Sequence, residues 1–307
     1  MQSDQIKGHV AAAGANVMWG LMAPVAKLVM AAGIVSPMLM GGCRIFGAAL
    51  LFWIASMFIP KERVGGKDYF LLAGAAMLGI VFNQGCYLFG VSLTSPGEAS
   101  IITTTMPLWV MLLAALLLKE PITLKKIAGI ALGASGALIL VVGGNSTKAS
   151  AGDNPMLGDF LVLTAQLSYA LYLTFYRNFI RKYSVITLMK WMFTFAAIAT
   201  APLVIPEAIA TEWKALGWHD FGGILFVVAF ATFLAYILIM TAQKMLRPTL
   251  VGMYNYLQPI LATAIGIYLG LDRFTPIKGF AVVLIFAGVT LVTLSKAAPA
   301  DATSKRK

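Results

Sequence analysis

The sequence predicts an all-α integral membrane protein whose ten transmembrane helices form two inverted five-helix repeats. Three observations predict it: the composition, the spacing of the apolar stretches, and a register that relates the second half of the chain to the first. The 307 residues are 60% hydrophobic and 11% charged, with a mean hydropathy of +0.85. A soluble domain is roughly 45–50% apolar and about 25% charged, so this chain lacks the charge needed to cover a globular surface. A membrane-crossing helix uses about 20 mostly apolar residues, and the sequence holds ten such stretches joined by short links. No link is long enough to fold alone. A secreted enzyme, a nucleic-acid-binding domain and a one-span receptor with a large soluble head are excluded.

The spans are read at 8–32, 36–59, 68–91, 96–118, 125–143, 157–179, 184–205, 219–242, 248–270 and 276–295. The first follows Lys7 and is longer than the apolar core of a signal peptide, and more spans follow it. It therefore reads as a retained helix. Asn16, Trp19, Ala23 and Lys27 form a stripe along it at spacings of three or four. The second span carries Arg44, roughly 5 Å from its middle at 1.5 Å rise per residue. An arginine at that depth should face the bundle interior and pair with carbonyls or an acid. It either attracts an anionic substrate group or pins helices together. The third span adds Asn83, Gln84 and Tyr87.

Glu98 opens the fourth span and is the one carboxylate placed inside a span. Two readings stand: a carboxylate that couples transport to protons, or an interfacial acid stabilised by a helix N-terminus. Lys27, nearer a span end, is structural or gating. Pro107 falls near the middle of the fourth span and Pro259 near the middle of the ninth, where each removes a backbone donor and disrupts the ladder one turn earlier. The pair reads as hinges or as packed kinks. The sixth span repeats the stripe of the first with Gln166, Tyr169, Leu173 and Arg177, and the eighth contributes Tyr236. On the ninth, Tyr254, Asn255 and Gln258 share a face, as cavity-lining amides or as interhelical hydrogen bonds. Polar and aromatic residues at matched depths describe an apolar, aromatic cavity with a few orienting amides, the usual composition of a small-molecule site.

The halves align at an offset of 152: Pro107 on Pro259, Glu120 on Asp272, Thr123 on Thr275, Lys126 on Lys278 and Gly136 on Gly288. In the opening helices the offset is 150, with Asn16 on Gln166, Trp19 on Tyr169 and Lys27 on Arg177. Residues 1–147 and 156–296 are thus two five-helix repeats, and 297–307 is a disordered basic tail. Five is odd, so the second repeat enters the membrane upside down, a recurring plan of secondary transporters with the site near the midplane.

Charge sets the orientation. With the N-terminus cytoplasmic, 16 of the 23 Lys and Arg fall on inner segments, while Lys148, Lys214, Arg273 and Lys278 lie outside. Lys27, Arg44 and Lys190 lie within spans. The positive-inside rule then places both termini in the cytoplasm. The net charge of +11 is a topology signal rather than a nucleic-acid footprint. Cys43 and Cys86 sit in apolar stretches and form no disulfide framework, and His9 and His219 are too isolated to hold a metal. No cofactor is expected.

Several segments carry a family resemblance: WGLMAPVAK (19–27), Arg44, GEASIITTTMPLW (97–109), LLLKEPIT (116–123) and GIALGASGALIL (129–140), with YNYLQPILA (254–262), GLDRFT (270–275) and FAGVTLV (286–292) in the second half. Together they resemble the ten-span EamA family of the drug/metabolite transporter superfamily over essentially the whole chain. Asp272 stands where the second repeat usually has glutamate. The resemblance implies a plasma-membrane permease for small organic solutes, often an exporter. Amino acids and amphipathic compounds suit the aromatic walls. Its partners would be a small-molecule substrate and the bilayer, with proton coupling and a homodimer left open. A lipid flippase or a non-transporting assembly subunit on the same fold is the alternative. An intramembrane enzyme would need clustered acids, a His-based metal site or an activated nucleophile, and no such cluster is visible.

Overall fold

The computed structural model describes residues 2–31, 33–93, 99, 102–142, 154–268 and 274–295, and among them every regular element is helical. α1 (Gln2–Ala31) turns into α2 (Pro37–Ala55) through Ser36, whose hydroxyl accepts the Leu39 N–H at 3.0 Å while Pro37 occupies the first helical turn. Both features satisfy a helix start without orphan donors. α3 covers 66–93 and is built from Gly66–Ala76, a π segment Met77–Phe82 and Asn83–Leu93. α4 (Met106–Leu118) ends on Lys119, which takes the left-handed conformation (φ 54) that turns a chain out of a helix. α5 (Leu124–Val142) follows.

α6 (Pro155–Phe175) starts on Asn154, whose side chain accepts the Leu157 N–H at 3.2 Å. A short turn, Arg177–Ile180, leads to α7 (Val185–Ala210), capped by Ser184. α8 (Trp218–Met245) repeats the build of α3, with a π segment at Ala229–Leu234. α9 covers 248–268, and a 3₁₀ turn, Tyr254–Tyr256, separates Pro248–Met253 from Leu257–Tyr268. α10 (Pro276–Thr293) is capped by Thr275. Helix is interrupted near both prolines, as their chemistry requires: at 104–105, with Pro107 in the first turn of α4, and at Tyr254–Tyr256, with Pro259 in the turn after it.

Six described helices are long and apolar enough to cross a membrane: α2, residues Gly66–Gly90 of α3, Met156–Phe175 of α6, α7, α8 and α10. Their outward faces expose side chains that water would not tolerate, including Phe70 (83% exposed), Leu225 (65%) and Ile209 (79%). Such a continuous apolar surface belongs against lipid, and the protein is a multi-pass membrane protein. Hydroxyls within the helices bond one turn back, as Thr174 does to Ala170 and Thr200 to Ala196, both at 2.8 Å. This leaves few polar groups needing water.

Packing pairs α3 with α6, α1 with α8, α2 with α7, α4 with α9 and α5 with α10. The α5–α10 contact is the tightest in backbone terms. A Cβ added at Gly129 would lie 2.7 Å from the Gly288 carbonyl oxygen, and one at Gly288 2.5 Å from the Gly129 carbonyl oxygen. Small residues let membrane helices approach this closely. Between α2, α7 and α8, Phe52 packs on Phe193 (ring centroids 5.5 Å) and Phe233 (4.6 Å).

One end of the bundle is tied by buried charge. Glu120, 3% exposed, accepts from Lys126 Nζ at 2.8 Å and Thr249 Oγ1 at 3.1 Å, and Arg177 lies at 3.5 Å. Arg247 donates to the carbonyls of Val292 and Ser295 at 3.2 and 3.1 Å. At the same end Asp68 takes hydrogen bonds from Lys182 (2.5 Å) and Tyr183.

Candidate functional site

The site begins with the two π segments. A π turn inserts one residue into the helix and leaves carbonyls without their regular donors, a distortion often found at functional sites. Here side chains from neighbouring helices fill the gap. Ser168 of α6 donates to the Leu78 carbonyl at 2.7 Å, and Trp19 Nε1 of α1 donates to the Ala231 carbonyl at 3.1 Å. Met77–Phe82 and Ala229–Leu234 are related by the same 152-residue offset that aligns the two halves.

Arg44 enters this region from α2. Its Nε donates to Thr232 Oγ1 at 3.1 Å, and that hydroxyl donates in turn to the Val227 carbonyl at 2.8 Å. The phenols of Tyr236 and Tyr87 lie near the guanidinium. Among the described residues, no carboxylate pairs with Arg44. Gln84 Nε2 donates to the Tyr236 hydroxyl at 2.8 Å, while Gln84 Oε1 is buried without a hydrogen-bond partner. Trp19 and Phe193 meet the Tyr236 ring edge-on at 5.9 and 5.0 Å. Tyr87 lies near Arg44 and is 39% exposed.

Two further polar groups flank this cluster. Asn16, fully buried in α1, donates to the Ala12 carbonyl at 2.9 Å and accepts from Gln258 Nε2 at 2.9 Å. Gln258 lies 3.4 Å from Asn255 Oδ1. These three amides bond one another and hold α1 on α9. Tyr254 shares a 2.6 Å hydrogen bond with His9. On the other side Tyr169 stacks near Tyr172 at 5.8 Å and accepts from Gln243 Nε2 at 3.4 Å, and Gln243 Oε1 is buried without a partner.

The structure thus brings Trp19, Arg44, Gln84, Tyr87 and Tyr236 together, with Tyr169 near Tyr236. Asn83 is turned away and donates to the Ala165 carbonyl at 3.0 Å. Asn16, Asn255 and Gln258 form a separate network, and Tyr254 pairs with His9. The side chains of Lys27 and Glu98 lie outside the described residues. Thr232, Ser168, Phe193 and Gln243 belong to the site region and are not singled out by the sequence. Only Thr232 carries a signal, as a hydroxyl in an otherwise apolar run, and its role depends on a π segment that no sequence pattern announces.

A bundle of apolar helices that holds a cation, amides and phenols between them, among the described residues, is a polytopic membrane protein. The family is specific: the EamA-like transporter family model matches residues 6–142 and again 156–294, and the chain belongs to that family. It is similar to an uncharacterized transporter, YetK, of Bacillus subtilis, at 22% identity over 297 residues covering 96% of this chain and 89% of that protein. It is also similar to an uncharacterized transporter of Archaeoglobus fulgidus, 27% identical over 71% of this chain and 74% of the relative. The uncharacterized inner membrane transporter YedA of Escherichia coli K12 is 27% identical over 85% of this chain and 82% of its own length. A protein crystal structure with 17% identity superposes at a TM-score of 0.78, covering 96% of this chain and 97% of the other. That likeness concerns the fold. The protein is a membrane transporter.

Proposed function

We propose that the protein is a secondary active transporter, working as an exporter of small organic metabolites such as amino acids or amphipathic compounds. In this reading ten spans form two inverted five-helix repeats, 1–147 and 156–296, which rock around a midplane site. The family model matching the chain twice supports the duplication. The packing supports the pseudo-twofold relation. Exchanging the halves turns α3–α6 into α8–α1, α4–α6 into α9–α1 and α3–α7 into α8–α2, while α2–α7, α4–α9 and α5–α10 map onto themselves. Residues related by 152 also bond each other, Gln84 to Tyr236 at 2.8 Å and Tyr256 to the Thr104 carbonyl at 3.1 Å. Equivalent groups meet in this way where a twofold axis passes between them.

The observation that carries the reading is Gln84–Tyr236, a bond between residues related by the 152 offset with Arg44 and Tyr87 near it. Midplane sites at a repeat interface suit alternating access. Export follows from the family resemblance. Flux in proteoliposomes tests the function: folded protein should move members of a metabolite panel in the presence of an ion gradient. Absence of flux across the panel, with lipid scrambling in its place, would replace the reading with a flippase.

A further inference from the structure

Among the described residues, the site has an unbalanced charge. Arg44 is deep between α2, α3 and α8, where a charged group requires compensation. Thr232 takes only its Nε hydrogen. Among the described residues, the two Nη groups have no hydrogen-bond acceptor, and no carboxylate lies near them. A guanidinium presents its donors as a planar fork that matches the two oxygens of a carboxylate. Tyr236 accepts from Gln84, which leaves its own phenolic hydrogen free to donate. Gln84 Oε1 is a buried acceptor without a donor. Trp19, Phe193 and Tyr87 surround these polar atoms with aromatic surface.

We propose that this site binds the carboxylate of a small organic anion with an apolar or aromatic body, with Arg44 as the anchor. The inference rests on the transporter reading and names its substrate class. The carboxylate occupies the Nη edge of Arg44 and takes the Tyr236 hydrogen, while a hydroxyl or N–H beside the carboxylate donates to Gln84 Oε1. Binding cancels the one cation in the cluster. A cationic amine finds no acidic side chain among the described residues there, and a neutral amide cannot cancel the charge. Arg44→Lys keeps the charge and loses the fork, so it retains only part of the affinity.

The test is binding to the purified full-length protein in detergent, read by calorimetry and thermal unfolding. The probes are phenylacetate and phenyllactate, their uncharged amides, and phenethylamine. At least one carboxylate should bind ten-fold or more tightly than its amide, phenethylamine should not compete, and Arg44→Gln should abolish that preference. Carboxylate and amide binding alike in the wild-type protein, or neither binding, overturns the proposal without any variant needing to fold. An unchanged carboxylate preference in folded Arg44→Gln also overturns it. Counterflow in proteoliposomes separates this inference from the parent reading. Carboxylate binding at Arg44 without flux of any solute retains the inference and defeats the transporter reading. Flux of neutral or cationic solutes that phenylacetate and phenyllactate neither inhibit nor share defeats the inference and retains the transporter.

Discussion

Glu120 shows how much a single side chain can depend on its partners. At the residue scale its carboxylate is nearly inaccessible and is held by Lys126, itself 1% exposed, together with Thr249 and Arg177. Two charges taken out of water repay their desolvation only as a pair. Replacing Lys126 with Met leaves Glu120 with a long contact to Arg177 and a hydroxyl, and should destabilise the protein by about 3–5 kcal/mol. Thermal unfolding in detergent measures this, and adding Glu120→Gln should recover part of the loss. Glu120 pairs with a basic residue six positions along the chain, Lys126. Its burial is not legible, because nothing in LLLKEPIT reveals that α6 and α9 close over it. Arg44 follows the same rule in reverse. Its depth is legible from its position in the span, while its partner, Thr232, lies 188 residues away.

At the scale of elements, the helices follow from local chemistry. Serine, asparagine and threonine caps start α2, α6, α7 and α10, and prolines stand in the first turns of α2, α4, α6 and α10. Six described helices are apolar runs of membrane length, while α4 begins only at Met106 within the expected 96–118. The glycines of GIALGASGALIL mark a contact face, and the structure identifies the other side of it as α10. Gly288→Val would push side-chain carbon against the Gly129 backbone, where an added Cβ already lies 2.5 Å from the carbonyl oxygen. The expected outcome is a loss of about 1–3 kcal/mol, the range for overpacking a filled interface. A Gly279→Ala control, against the far end of the Phe274 ring, should cost less in the same unfolding assay. The π segments are the elements that sequence reading misses. Each inserts one residue, and one residue turns a helix by about 100°. A helical face drawn from sequence through Met77–Phe82 therefore points the wrong way beyond it. Asn83 and Gln84 read as one pair of cavity amides, but only Gln84 reaches Tyr236.

At the scale of the whole molecule, the charge count and the repeat make a prediction about topology. An even number of spans with both termini cytoplasmic requires the 297–307 tail to be reachable from inside only. In a Cys43→Ser, Cys86→Ser background, a cysteine placed by Ser304→Cys should react with a membrane-impermeant maleimide only after cells are permeabilised. A Lys148→Cys reporter should react in intact cells. Labelling of both from outside would contradict the inverted arrangement, since five spans per half cannot then hold.

The sequence by itself determines that this chain lives in a membrane, where most of its described helices run and which family it resembles. These properties depend on transfer energies, caps, prolines and residue spacing, all local or cumulative along the chain. Only the tertiary structure decides which polar groups meet. Asn16, Asn255 and Gln258 spend their amides on one another, whereas Arg44, Gln84, Tyr87 and Tyr236 gather in a separate cluster. The physical reason is that a buried polar group takes its meaning from its partner. Partners come from helix rotation and from pairings more than a hundred residues apart, and a single inserted residue in α3 or α8 is enough to change them.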